Sequence, residues 1–289
     1  MSRLSRRRLG KLARHPIRTA RPLENGLAVA GAFKRRFVRP SGPYVFVACM
    51  PRTGSTFLTE ALCALTGFKR VELSDAYAEN EQELDVPRLL DAYSYGSVTQ
   101  QHVCANARTV ELMRDFGIRP IVLVRNVYDV VVSIRHFLLT EGCAKWPTFF
   151  TTDERFRGLD EAAQYEQIVE LGLPWYFDFF VSWADAAQDG ALETLWLTYE
   201  DAIADWPATL RRIGGFYGLE AGDAAIAAAL ERTAARAPEL RLNKGVPGRG
   251  AALLDPALRE RIERYARFYP DVDFTPMGLP GGASAARPA

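Results

Sequence analysis

The segment 44–58, with the sequence YVFVACMPRTGSTFL, constrains the fold of this 289-residue chain more than any other stretch. It begins as a short apolar strand, turns through a loop that contains Gly54, and enters a predicted helix at Ser55 and Thr56. The first backbone N–H groups of a helix have no partner within the helix, and the helix dipole favours an anion there. The segment therefore predicts a phosphate-binding loop between a strand and a helix.

The loop differs from the Walker A sequence G-x-x-x-x-G-K-[ST], which holds nucleotide phosphates together with Mg²⁺. Cys49 stands where the first Gly of that sequence would be, and Ser55 stands where its Lys would be. The cation of the loop lies earlier, at Arg52. This arrangement indicates a phosphate loop that is not built for Mg-ATP; a P-loop-type nucleotide kinase or NTPase is the alternative interpretation.

Strand-like and helix-like segments alternate along the rest of the chain. Apolar runs predict strands at 44–49, near 70–73, and at 97–103, 118–124 and 193–197. Helical patterns occur at 55–66, within 75–93, and at 105–116, 127–139, 160–171, 174–188, 199–217, 222–236 and 255–268. This alternation predicts an α/β fold with a central parallel sheet flanked by helices on both faces, a P-loop-like three-layer sandwich. Ligands of such sheets bind beyond the carboxyl ends of the strands.

The net charge of +1 conceals a strong asymmetry between the N-terminus and the rest of the chain. Residues 1–40 hold 12 Lys or Arg and one acidic residue, which leaves residues 41–289 with a net charge of −10. We expect a basic N-terminal arm at 1–40, partly helical or disordered, a single α/β domain at 41–276 and a flexible tail at 277–289. The arm is a solvated extension, an element that touches an anionic membrane surface or a polyanion, or a targeting segment. The acidic domain argues against nucleic acid as a partner.

Cysteine usage and hydropathy bear on the compartment. The four cysteines form no C-x-x-C pair and show no zinc-like spacing with the three histidines. This pattern favours a reducing compartment, and no apolar run approaches the roughly 20 residues that a membrane span needs. We expect a cytoplasmic protein, and the basic arm leaves peripheral membrane contact open.

A second basic motif follows the clearest buried strand, 118–124. This strand ends at Arg125, and Ser133 lies eight residues further, about two helical turns or roughly 12 Å along a helix axis. Alone, each could be a structural or surface residue. Together they offer a guanidinium and a hydroxyl for one phosphate, at the same sheet edge as the loop of Arg52. Asp129, in the first turn of the intervening helix, suits the helix dipole and is interpreted as structural.

These motifs resemble, in order, those of the PAPS-dependent sulfotransferase family. The family's 5′-phosphosulfate loop, P-[KR]-x-G-[ST]-[ST], is similar to 51–56, and its 3′-phosphate motif, R-[ND]-x-x-D-x-x-x-S, is similar to 125–133. Its Y-E-D element is similar to 199–201, and its R-K-G-x-x-G loop is similar, more weakly, to 243–248. The resemblance covers about residues 43–274.

The resemblance implies in-line transfer of the sulfuryl group from 3′-phosphoadenosine 5′-phosphosulfate (PAPS) to an acceptor hydroxyl or amine, with no metal. The two predicted anion sites match the two phosphate groups of this donor. Arg52 occupies the family position that stabilises the transferring group. Phe57 occupies the position that stacks on adenine, although it is equally consistent with a core residue of its helix. The resemblance implies nucleotide contacts from Arg52, Thr53, Gly54, Ser55, Thr56, Phe57, Arg125, Ser133, Tyr199, Lys244 and Gly245.

The resemblance also implies a general base that takes the proton of the acceptor. Many cytosolic members place a His in a strand-end K-x-H motif, and His102 lies at that place, which makes it the candidate base. An acidic residue within 72–85 is the alternative. Gln100 replaces the Lys of that motif, and Asn243 replaces the Arg of the last motif. Arg52 or another cation must therefore supply more of the positive charge.

The acceptor pocket is expected within 74–95 and 137–180, which are rich in aromatic residues. These aromatics could line an apolar pocket for a lipid or phenol, serve as platforms for a sugar, or pack as ordinary core. The expected partner is a small-molecule, sugar or lipid acceptor, and the oligomeric state is not predicted. A non-catalytic phosphonucleotide-binding module is a further alternative. The aromatics are Tyr77, Tyr93, Tyr95, Phe137, Trp146, Phe149, Phe150, Trp175 and Tyr176.

Overall fold

Five parallel strands form one sheet in the part of the chain that the structure describes. The structure is a computed structural model, and it describes residues 42–74, 82–93, 95–142, 150, 152–219, 221–236 and 248–280, together with Gly26. The strands are β1 Tyr44–Cys49, β2 Lys69–Arg70, β3 Ser97–Gln101, β4 Pro120–Val124 and β5 Leu195–Thr198. Their order in the sheet is β2-β3-β1-β4-β5, and every neighbouring pair is parallel. The predicted parallel sheet is confirmed.

Helices connect the strands much as the sequence patterns predict. They are α1 Ser55–Thr66, α2 Val86–Ala92, α3 Ala107–Phe116, α4 Val127–Thr140, α5 Glu161–Gln167, α6 Leu173–Gln188, α7 Tyr199–Ala204, α8 Trp206–Tyr217, α9 Asp223–Ala235, α10 Gly250–Leu253 and α11 Pro256–Ala266. A π-helical turn, Ile168–Gly172, joins α5 to α6, and 3₁₀ turns lie at Glu154–Gly158 and Thr275–Met277. No helix among the described residues is long and apolar enough to cross a bilayer.

Two predicted helical segments differ from the structure. The segment 75–93 yields a helix only from Val86, and its residues 75–81 lie outside the described part of the chain. The segment 199–217 is divided between α7 and α8, because the side chain of Asp205 accepts a hydrogen bond from the backbone N–H of Ala208 and caps the second helix. An N-cap residue has non-helical backbone angles, so one continuous helix cannot run through it.

Helices cover both faces of the sheet, because alternate side chains of β1 pack in two different cores. All six side chains of β1 are buried. Successive side chains of a strand point to opposite faces. Val45 and Val47 pack in one core with residues of α1, α8 and α9, and Phe46 and Ala48 pack in a larger core with residues of α3, α4, α6 and α11. The α/β three-layer fold is confirmed.

The register of the strands brings four chain segments to one edge of the sheet. Ala48 pairs with Gln101, and Val124 pairs with Thr198. Cys49, the last residue of β1, pairs with Leu123 of β4. The four strands therefore end nearly level, and the segments that follow them begin side by side: His102 after β3, the loop 50–54 after β1, Arg125 after β4 and Tyr199 after β5.

The two ends of the chain lie largely outside the described residues. The predicted arm at 1–40 is outside them except for Gly26, and the tail from 281 is outside them entirely. Met277 and Leu279, within the segment predicted as tail, are buried in the larger core. Ordered packing therefore continues beyond residue 276, to residue 279.

Candidate active site

The loop after β1 leaves the N-terminus of α1 without a side-chain cap. Gly54 is the N-cap residue, with φ 72°, and no side chain among the described residues caps the first turn of α1. A Cβ on Gly54 would lie 2.8 Å from a ring carbon of Tyr199, so a larger residue does not fit. The first-turn N–H groups, including those at the predicted Ser55 and Thr56, therefore suit a bound anion.

Thr53 closes this loop internally. Its hydroxyl donates a hydrogen bond of 2.7 Å to the carbonyl of Met50, and its side chain is buried. The Thr53 side chain thus stabilises the conformation of the loop. Because its hydroxyl proton is used in this bond, Thr53 can donate to an anion only through its backbone N–H.

Arg52 reaches the second motif. It has φ 68°, the only positive φ of a non-glycine residue among those described, a conformation that costs roughly 1–2 kcal/mol. Its Nε donates to the hydroxyl of Ser133 at 3.2 Å, and its guanidinium lies 4.9 Å from the centre of the Phe137 ring. Both partners lie on α4. The left-handed backbone thus turns the Arg52 side chain toward α4.

Arg125 reaches back to the first motif. Its Nη1 donates to the carbonyl of Arg52 at 2.8 Å, and its guanidinium lies 4.2 Å from the centre of the Tyr199 ring. Its Nε is buried and has no hydrogen-bond partner among the described residues. The sequence predicted Arg125 beside Ser133; in the structure it is Arg52 that donates to Ser133. The two motifs therefore interlock, since each sends a guanidinium to the other.

The segment after β5 supports both motifs. The ring of Tyr199 lies close to both Gly54 and Arg125, and burial raises the pKa of its hydroxyl. Glu200 accepts a hydrogen bond of 3.1 Å from the backbone N–H of Asn126, and burial raises the pKa of its carboxyl. Glu200 belongs to the Y-E-D element, in which no sequence signal assigns it a role. Its contact fixes the start of α4.

His102 is buried directly behind the loop, and only 9% of its surface is exposed. Its Nδ1 lies 2.8 Å from the carbonyl oxygen of Cys49, and its backbone N–H donates to Gln82 at 2.7 Å. A carbonyl oxygen can only accept, so the proton of the neutral ring is on Nδ1 and Nε2 carries the lone pair. Burial lowers the pKa of His102 to about 4. The ring is therefore neutral at neutral pH.

Other groups near the loop are poorly suited to accept a proton. Burial raises the pKa of the Cys49 thiol to about 12. Burial also raises the pKa of Tyr176, whose hydroxyl donates to the carbonyl of Pro51 at 3.4 Å. Of the described acids in the alternative range, Glu72 and Glu83 are exposed, and Asp85 lies 3.6 Å from Arg88. Residues 75–81, which include further acids, lie outside the described part of the chain.

A second cation stands beside the residue that replaces the Lys of the K-x-H motif. Arg70, at the end of β2, lies 3.5 Å from the side-chain oxygen of Gln100. Arg70 also pairs with Glu60 of α1 at 3.0 Å. The structure thus places positive charge next to Gln100 from a neighbouring strand.

Phe57 faces another aromatic residue. Its ring centre lies 4.7 Å from that of Trp206, at an interplanar angle of 43°, and its side chain is buried. Trp206, at the first position of α8, was not singled out from the sequence. Lys244 and Gly245, the remaining predicted nucleotide contacts, lie outside the described residues.

The aromatics predicted for the acceptor pocket divide into several groups. Phe137 lies under Arg52, and Tyr176 supports the loop. Phe150 packs against Gly172, where a Cβ would lie 2.9 Å from its ring. Trp175 contacts Phe179 and Tyr176; Tyr93 contacts Tyr44 and Phe116; Tyr95 lies near Lys69; and Tyr77, Trp146 and Phe149 lie outside the described residues.

Comparison with known proteins identifies the class. The family model described as "Sulfotransferase domain" matches residues 43–237, more than half of the chain. The chain therefore belongs to the sulfotransferase domain family, and it is an enzyme of the sulfotransferase class. No curated protein matches it by sequence.

Solved structures share the fold at low identity. Mouse sulfotransferase SULT7A1 complexed with PAP is 19% identical, with a TM-score of 0.59 over 83% of this chain and 89% of that chain. Retinol dehydratase in complex with androsterone and inactive cofactor PAP is 17% identical, with a TM-score of 0.51 over 83% and 84% of the two chains. Retinol dehydratase in a complex with retinol and PAP is also 17% identical, with a TM-score of 0.51 over 83% of this chain and 85% of that chain.

Proposed function

We propose that this sulfotransferase takes its sulfuryl group from PAPS and transfers it to an acceptor hydroxyl or amine by in-line displacement. The observation that carries the proposal is the interlock of Arg52 and Arg125 beside the uncapped N-terminus of α1. It gathers two fixed guanidinium groups and free helix N–H groups at one sheet edge, as a donor with separated phosphates requires. The structurally similar mouse sulfotransferase is a PAP complex, which supports the same donor class.

The residues of the site divide between the two ends of the donor. The N–H groups from Thr53 to Thr56, with the hydroxyls of Ser55 and Thr56, hold the 5′-phosphate. Arg125 and Ser133 serve the 3′-phosphate, with Tyr199, Lys244 and Gly245 as further nucleotide contacts, and Phe57 faces adenine beside Trp206. The site fits these groups: Gly54 has no room for a Cβ, and the buried Nε of Arg125 has no partner in the part of the chain that the structure describes. We propose no role for a metal.

Arg52 stabilises the charge that develops on the transferring group. Its Nε is held by Ser133, and its ring contact with Phe137 limits the motion of the guanidinium. A cation fixed before the reaction needs no reorganisation in the transition state. Arg70, through its contact with Gln100, adds positive charge that partly replaces the family's Lys.

His102 is the general base. Nε2 accepts the proton of the acceptor hydroxyl, while the carbonyl of Cys49 holds Nδ1–H and so fixes the tautomer. We propose a small-molecule acceptor, since the similar retinol dehydratase structures contain androsterone or retinol. Sugar and lipid acceptors are tested beside it in the assay described below.

We also propose a cytoplasmic enzyme whose basic arm reaches an anionic membrane surface.

Two measurements test the proposal. A thermal-shift titration compares adenosine 3′,5′-bisphosphate with Mg-ATP; we expect stabilisation by the bisphosphate, and stabilisation by Mg-ATP alone would support the kinase or NTPase alternative instead. A labelled-donor assay across alcohol, phenol, sugar and lipid acceptors then tests catalysis. We expect His102→Ala to lower turnover by about 10²-fold or more while bisphosphate binding persists. Bisphosphate binding without transfer to any acceptor would favour the non-catalytic module.

A further inference from the structure

Asp129 is a buried carboxylate that the proposed mechanism does not use. It lies in the first turn of α4, and only 4% of its surface is exposed. One carboxylate oxygen, Oδ2, accepts a hydrogen bond of 2.7 Å from the backbone N–H of Gly248, and the other, Oδ1, accepts one of 2.6 Å from Gly250. A carboxylate with two such bonds from a remote segment ties that segment to α4, because hydrogen bonds to a charged acceptor are the strong ones.

The backbone at Gly250 lies directly against α4. A Cβ at this position would be 2.2 Å from the carbonyl carbon of Tyr128 and 2.4 Å from the nitrogen of Asp129. Gly248 has φ 82°, in the left-handed region that favours glycine. The two glycines therefore permit a close approach that other residues would prevent, and the Asp129 carboxylate is held in that contact.

The same carboxylate faces Arg125. Its Oδ2, which accepts from Gly248, also lies 4.0 Å from Nη2 of Arg125. The Arg125 side chain is 11% exposed, so its charge is weakly screened by solvent, and a nearby negative group influences its position strongly. Asp129 thus joins two parts of the site: the guanidinium after β4 and the backbone at 248–250.

We propose that Asp129 is a positioning residue for the 3′-phosphate, an inference that rests on the proposed donor. It acts through Arg125, whose guanidinium it orients, and through Gly248, which it anchors. Gly248 follows the predicted nucleotide contact Lys244 by four residues in the sequence.

The test compares two ligands that differ in the 3′-phosphate. Calorimetric titration of the full chain with adenosine 3′,5′-bisphosphate and adenosine 5′-monophosphate gives an affinity ratio that reports on the 3′-phosphate alone. We expect Asp129→Asn to reduce bisphosphate affinity about 10-fold or more and monophosphate affinity less than about 3-fold, because the neutral amide no longer orients Arg125. Asp255→Asn is the matched control: Asp255 accepts one N–H bond, from Leu258 at 2.8 Å, and should leave the ratio unchanged.

Gly250→Ala disturbs the contact between the 248–250 backbone and Asp129 without changing any charge. The added Cβ must displace the backbone from α4, so we expect the affinity ratio to fall in this variant too. If the wild type binds the bisphosphate no more tightly than the monophosphate, the proposed donor itself is refuted. If the wild type binds the bisphosphate more tightly and both variants keep the same affinity ratio, the role of Asp129 alone is overturned. Equal losses for the two ligands would also overturn it, since they would indicate a merely structural residue.

Discussion

Acidification should destabilise the fold through His102. Burial lowers the pKa of its imidazole from 6.5 to about 4. The unfolded chain therefore binds this proton more readily than the folded chain, and the stability that the neutral ring provides is complete above about pH 6.5 and is lost as the pH falls toward 4. With these two pKa values, the contribution of His102 to the free energy of unfolding falls by about 2 kcal/mol between about pH 7.5 and pH 5.

The assay is urea unfolding of the wild type and of His102→Gln at both pH values. Glutamine cannot be protonated, so we expect the stability difference between the two proteins to shift by about 2 kcal/mol against the wild type on acidification. The variant loses the hydrogen bond to Cys49 at both pH values, so this loss cancels when the stability differences at the two pH values are compared. His136→Gln, at an exposed position of α4, is the control for replacing a histidine by glutamine.

The outcome decides whether His102 is neutral because it is buried. A difference that changes by less than about 0.5 kcal/mol would refute the reasoning. The imidazole would then titrate in the fold as it does in the unfolded chain, and its neutral form at physiological pH would owe nothing to the site. The same shift predicts that an acid limb set by His102 in kcat/KM lies near pH 4 rather than near 6.5.

Three further variants test the loop and its neighbours. Gly54→Ala brings a Cβ to within 2.8 Å of Tyr199 at a left-handed position; we expect a loss of roughly 1–2 kcal/mol in urea unfolding, together with weaker bisphosphate binding by calorimetry. Arg52→Met should lower kcat about 10²-fold or more in the labelled-donor assay, and an equal fall in bisphosphate affinity would mean that Arg52 only binds. Because Trp206 contacts Phe57, bisphosphate binding should change the tryptophan fluorescence of the wild type but not of Trp206→Phe; a signal that persists in the variant would argue against adenine beside Phe57.

Local signals made much of the fold predictable. The helix predicted at 55–66 has those bounds in the structure, with a left-handed glycine at each end, Gly54 and Gly67. The last helix, predicted from residue 255, also begins with a local cap, since Asp255 accepts from Leu258 and Pro256 occupies the first helical position. Both signals depend only on residues within a few positions of one another, so one sequence is sufficient to recognise them.

The partners within the site were not predictable in the same way. Arg52 and Ser133 are 81 residues apart, and Arg125 and the Arg52 carbonyl are 73 apart. The register of β1 against β4 and the direction of the Arg52 side chain determine which guanidinium donates to which oxygen. Neither is encoded locally. The Asp129 contact shows the same limit: the sequence placed this carboxylate in a helix first turn, and its partners lie 119 and 121 residues away.

The interlock makes the two proposed phosphate sites dependent on each other. The left-handed backbone of Arg52 carries a cost of roughly 1–2 kcal/mol. Two contacts that help to offset this cost come from the second motif: the Ser133 hydroxyl accepts from Nε, and the Arg125 guanidinium donates to the carbonyl. A phosphate that draws Arg125 away from this carbonyl would weaken the support of the strained residue. A phosphate that fixes Arg125 where it stands would strengthen it. Occupation of the proposed 3′-phosphate site would therefore change the free energy of the Arg52 conformation, so that the part of the proposed donor that does not react would help to set the geometry of the part that does.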